Sequence, residues 1–67
     1  MNQLQEAKAN VKKILKRGIV DRDIGQTELA EMLGTNQSQL SRAINGGTTP
    51  KDFELQNKLA KILGVEI

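Results

Sequence analysis

The chain has no cysteine, no histidine, no tryptophan and no tyrosine, and its aromatic content reduces to Phe53. Without cysteine there is no disulfide framework and no thiolate metal site. Without histidine the commonest zinc ligand and the commonest general base are missing together. Asp21 and Asp23 flank Arg22, but DRD lacks the further ligands and the bidentate glutamate of a calcium loop. The acids form no convincing pair, no nucleophile has a base near it, and no glycine-rich phosphate loop follows a strand. No catalytic residue and no metal ligand is therefore assigned. The chain is expected not to be an enzyme and to need no cofactor or small-molecule ligand, since 67 residues leave little room for a deep pocket. A lone aromatic also excludes the stacking platforms on which single-stranded nucleic acid is held. If the partner is a nucleic acid, duplex DNA is favoured over RNA. No segment approaches membrane-spanning length, and the first residues carry no apolar signal-peptide core. A soluble, cytoplasmic protein that does not meet a membrane is the expectation.

What is present fits one domain over residues 1–67. Ten Lys and Arg against eight Asp and Glu leave a net charge of +2, a mild excess that says little by its size. Its distribution says more, because Lys8, Lys12, Lys13, Lys16 and Arg17 crowd one segment. The Lys8, Lys12 and Lys16 stripe reads first as a solubilising face, with a phosphate role for Lys16 or Arg17 as the alternative.

Hydrophobic periodicity predicts four main helices. Residues 3–17 carry Leu4, Ala7, Val11, Ile14 and Leu15 at three- and four-residue steps, and Gly18 is expected to end that helix after Lys16 and Arg17. Residues 18–25 read as a loop anchored by Ile19 and Ile24. A second helix is expected from Gln26 to Leu33 and stops at Gly34, where a left-handed backbone suits glycine. Asn36 is a favourable N-cap for a third helix, with Gln39 completing a capping-box pattern, and Asn45-Gly46-Gly47 ends it. Thr49 as N-cap, Pro50 at the first helical position and Asp52 in the first turn open a fourth helix that closes at Gly64. Phe53, Leu59, Ile62 and Leu63 are its expected inward residues.

The third helix is the informative one. With Leu40 at zero and 100° per residue, Ala43 and Ile44 fall within roughly 60° of it, while Ser38, Arg42 and Asn45 lie within roughly 40° of the opposite pole. Ser41 sits at the edge of that polar face, and Gln37 is off its pole but occupies the first turn, where a long side chain reaches past the helix end. This face contains no acid, whereas an ordinary solvated helix face carries Glu and Lys. Its groups match the major groove of DNA: glutamine pairs bidentately with adenine, arginine with guanine, and serine with donor or acceptor edges. Asn45 and the free amides at the start of the second helix suit phosphates, which fix register without reading sequence.

The run QTELAEMLGTNQSQLSRAINGG, residues 26–47, resembles the helix-turn-helix of the lambda-repressor-like (XRE/Cro) family of phage and bacterial regulators. Q-x-x-L-A, then L-G, then Q-S-x-L, then N-G coincide, and the KLAKILGV ending (58–65) is similar to that family's fourth helix. The resemblance implies a small all-α domain of four to five helices, with the helix-turn-helix proper at 26–45. It further implies a repressor that binds double-stranded DNA in the major groove as a homodimer. Gln26 and Gln37, eleven positions apart, stand where the family's paired glutamines cooperate on backbone and adenine. By the same likeness Ser38 contacts a base, Arg42 a base or phosphate, and Asn45 a phosphate, and Asn36 and Ser41 complete the set of candidate DNA-binding residues. Gly25 departs from the Ser or Thr usual before the second helix, and the 18–25 loop is longer than usual. Ile67 stands where many relatives continue into a fifth helix that builds the dimer. The rival reading is a protein-interaction module of the same fold, an antitoxin or an antagonist of another regulator. Its surface, or the homodimer seam, would draw on Val20 and the Val65–Ile67 tail.

Overall fold

Short helices with one apolar stripe each can bury it only by crossing one another. The computed structural model, which describes the backbone of residues 3–67 and the side chains of residues 10–67, shows this arrangement. Four helices follow one another, α1 (Gln3–Arg22), α2 (Gln26–Met32), α3 (Gln37–Ile44) and α4 (Pro50–Leu63), with no strand among the described residues. α4 packs on α1 and α3, and α3 also packs on α1 and α2. Between them lies one core: Leu15; Leu29, Ala30 and Leu33; Leu40, Ala43 and Ile44; Leu55, Leu59 and Leu63. Val11, Ile19, Ile24, Ile62 and Val65 close its margins. The side chains of Leu4, Ala7 and Lys8 lie outside the described residues.

α1 is longer than its sequence pattern suggests. Gly18 does not end it but lies buried in its interior, and the apolar series Val11, Leu15, Ile19 continues past it. A Cβ on Gly18 would stand 3.0 Å from Leu63 Cδ1, so the glycine lets α1 approach α4 closely. The terminating role passes to Asp23, the only non-glycine residue among those described with positive φ, at 54°. Its amide donates to the Val20 carbonyl and that of Ile24 to Ile19, the paired bonds of a Schellman ending. The other three helices end on the same pair of bonds, with Gly34, Gly46 and Gly64 in the left-handed position.

A second correction concerns Phe53. It is half exposed, at 49 %, and the inner stripe of α4 runs instead through Leu55, Leu59 and Leu63. The capping box of α4 places Asp52 inward at the third helical position, and Phe53 at the next is turned toward solvent.

Candidate nucleic-acid interface

The turn between α2 and α3 is built from short-range polar contacts. Gly34, at φ 68°, releases the chain from α2, and Asn36 takes an extended conformation in front of α3. The Asn36 side-chain oxygen accepts the Gln39 amide at 2.8 Å, as its N-cap position requires. The return half of the expected capping box is not made. The Gln39 side-chain oxygen accepts from the Thr35 hydroxyl instead, which ties the turn to the first turn of α3.

Leu40, Ala43 and Ile44 are fully buried, which fixes the rotation of α3 about its own axis. Ser38, Arg42 and Asn45 are then exposed on its outer side, with Ser41 half-buried at the edge, while Gln37, off that side by its angle, is exposed at the helix start. Gln26 and Asn36 are exposed as well. Within the protein the side-chain amide of Gln37 donates to the Thr27 hydroxyl across the two helices. A glutamine amide has two N–H donors and one carbonyl, so one N–H held by Thr27 leaves an N–H and the oxygen for an adenine edge. Thr27 went unnoticed in the sequence. Its signal is a β-hydroxyl in the first turn of α2, one position after Gln26.

Asn45, which closes α3, is turned back onto that helix. Its amide nitrogen donates to the Ser41 carbonyl at 2.8 Å and to the Ser41 hydroxyl at 3.3 Å. Beyond it, an open concavity is lined by Ser41, Arg42, Asn45, Gly46, Thr48 and Thr49, among others. Its floor is set by α4. Thr49 Oγ1 accepts the Asp52 amide at 3.2 Å, while Asp52 Oδ2 accepts the Thr49 amide at 3.1 Å and its hydroxyl at 2.8 Å. The buried Gln56 amide donates to the carbonyls of Ala43, at 3.1 Å, and Gly47, at 2.9 Å. Gln56 was also missed, because a single glutamine inside an apolar stripe carries no sequence signal of its own. Every buried side-chain polar atom among the described residues has a partner. No cluster of three or more potential metal-ligating side chains occurs among them.

A seven-residue helix and an eight-residue helix joined by a tight turn, the second presenting an acid-free polar side, constitute a helix-turn-helix DNA-binding unit. A helix-turn-helix family model matches residues 11–67, and the chain belongs to the XRE/lambda-repressor-like helix-turn-helix family. It is a DNA-binding transcription regulator of that type. No curated protein and no solved structure matches the chain. No helix of the described residues is long and apolar enough to cross a membrane.

Proposed function

We propose that this regulator is a Cro-like repressor that binds duplex DNA as a homodimer, with α3 of each copy in the major groove of one half-site. The half-sites then lie about one helical turn apart, roughly 34–36 Å, on a roughly palindromic operator. The observation that carries this is the polar surface of α3: Ser38, Arg42 and Asn45 exposed on its outer side and Gln37 exposed at its first turn, without an acid among them, on a helix whose rotation the core fixes. Gln37 reads adenine with its orientation held by Thr27, while Ser38 and Arg42 reach base edges. Ser41, Gln26 and Asn36 border the same surface. Asn45 serves a phosphate once its amide swings away from Ser41. DNA as the partner places the protein in the cytoplasm, and the reading needs no catalysis, cofactor or small-molecule ligand.

Selection from a random duplex library, followed by titration at several salt concentrations, tests this directly. One palindromic sequence should be enriched. Gln37→Ala and Arg42→Ala should each lose about 1–3 kcal/mol at one base position while remaining folded. Thr27→Val should relax the preference at the Gln37 position alone. Equal binding of parent and Gln37→Ala to the selected site would sink the base assignments.

A second reading has its own observation. Val20, Met32, Phe53 and Ile67 are exposed at 75, 54, 49 and 45 %, which is apolar surface that a protein partner or a second copy would cover. If no duplex is enriched, the interaction module, an antitoxin or an antagonist of another regulator, takes over.

A further inference from the structure

We infer that Gln56 is a positioning residue for DNA binding: from inside the core it holds the end of α3 and the segment 45–48 in the place where they meet the duplex. This rests on the reading of α3 as the DNA-contacting helix.

The buried side of α4 consists of Leu55, Leu59, Ala60 and Leu63, all apolar, apart from the capping Asp52 and Gln56 at 5 % exposure. An aliphatic side chain of similar size would fill the same volume without the desolvation of an amide. The glutamine uses both hydrogens of its one nitrogen on two main-chain carbonyls, Ala43 in the last turn of α3 and Gly47 just beyond it. The Ala43 carbonyl also accepts the Gly46 amide at 3.1 Å, so it is satisfied without Gln56. What Gln56 adds is a fixed separation between α4 and the two points that bracket Asn45 and Gly46.

The space around Gly47 shows how closely that segment is seated. A Cβ there would lie 2.2 Å from Asp52 Oδ2 and 2.9 Å from the Arg42 carbonyl oxygen. Arg42 and Asn45 project from the stretch of backbone so held. Both hydrogen bonds of Gln56 go to main-chain carbonyls and none to a polar side chain of α3, so its effect passes through that backbone.

Gln56→Leu and Gln56→Met test the inference against the parent in two measurements. In the free protein, amide hydrogen exchange at Gly46 and Gly47 should quicken at least tenfold while the amides of α4 keep their protection. On the selected duplex, both variants should bind about tenfold more weakly at equal folded fraction. The slope of log affinity against log salt should fall by about 0.9, the equivalent of one phosphate, and the same consensus should be enriched. Unchanged exchange at Gly46 and Gly47 overturns the proposal, as does an affinity loss that merely tracks the folded fraction. If both variants fail to fold, Gln56 is a stability element and the proposal is overturned. If the parent enriches no duplex, the DNA reading fails, and the exchange result alone decides whether Gln56 holds the segment.

Discussion

The junction between α3 and α4 and the junction between α1 and α2 are both short, and the molecule treats them differently. The first is fixed from several sides. Asn45 folds back onto Ser41, Gly46 takes the left-handed position, Gln56 ties two carbonyls, and Thr49 and Asp52 cap α4 reciprocally. At the second junction, Asp23 holds a left-handed conformation that costs a non-glycine residue free energy, and Gly25 starts α2 without a side-chain cap. Arg22 reaches across to the Leu63 carbonyl, but only at 3.3 Å. The junction that carries the polar end of α3 is over-determined, and the one that only connects α1 to α2 is left with avoidable strain. Stability has been placed where a small shift would move the exposed polar groups at the end of α3.

The largest expected effect comes from breaking the fixed junction. Gly47→Ala should cost about 2–3 kcal/mol in urea denaturation, because its Cβ would overlap the Asp52 carboxylate and crowd a main-chain oxygen that cannot turn aside. A loss below about 0.5 kcal/mol would mean that the segment yields easily and the contrast between the junctions is false. The connecting junction should respond in the opposite direction. Gly25 has φ −72° and ψ 149°, as an N-cap requires, and a Cβ there meets nothing within 4 Å. Gly25→Ser should therefore stabilise by about 0.5–1 kcal/mol, through the cap and through a less flexible unfolded chain. Asp23→Gly should add only a few tenths, since relief of the left-handed strain is offset by the greater unfolded entropy of glycine. Thermal midpoints that rise for both substitutions, with DNA affinity unchanged, would establish that this junction was never tuned. A fall in either would show a constraint at this junction that its contacts do not reveal.

The same contrast explains what the sequence reveals. The end of α2 and both ends of α3 and α4 are legible because each is marked by a residue whose chemistry suits one local conformation: Gly34, Asn36, Gly46, Thr49, Pro50 and Gly64. The end of α1 is not, because its signals are exchanged. Gly18 looks like a terminator but is needed for a close approach to Leu63, some forty-five positions along the chain, and Asp23 terminates without looking like it. Phe53 departs from its expected inward place for a related reason. Hydrophobicity suggests burial, but the inner stripe of α4 runs through Leu55, Leu59 and Leu63 with Asp52 capping on the same side, and that phase leaves Phe53 out. The acid-free side of α3 follows from helical arithmetic alone, since Leu40, Ala43 and Ile44 define the opposite side. Thr27 and Gln56 did not emerge, because each acts through a contact between helices, ten and thirteen positions from its partners Gln37 and Ala43.

The smallest effect belongs to a feature outside both junctions. On the outer side of α4, Glu54 meets Lys51 at 3.3 Å and Lys58 at 3.4 Å, all of them about half exposed. Hydrogen bonding from Lys51, then from Lys58, followed by their charges, holds the Glu54 carboxyl below its ordinary pKa. A carboxyl lowered in the folded state contributes stability that is whole above its unfolded pKa and fades as pH falls through the lowered folded value. Glu54→Gln should therefore melt slightly earlier than the parent at neutral pH and low salt. The difference should close when the pH is taken well below the carboxylate range, and also in concentrated salt, since an exposed pair is screened. A gap that widens on acidification would reverse the sign of the linkage and assign the effect of Glu54 to helix propensity or packing. Because neither junction depends on this triad, the variant should keep the parent's Gly46 and Gly47 exchange rates and its DNA preference. Whatever separates the two junctions is then internal contact geometry rather than surface charge.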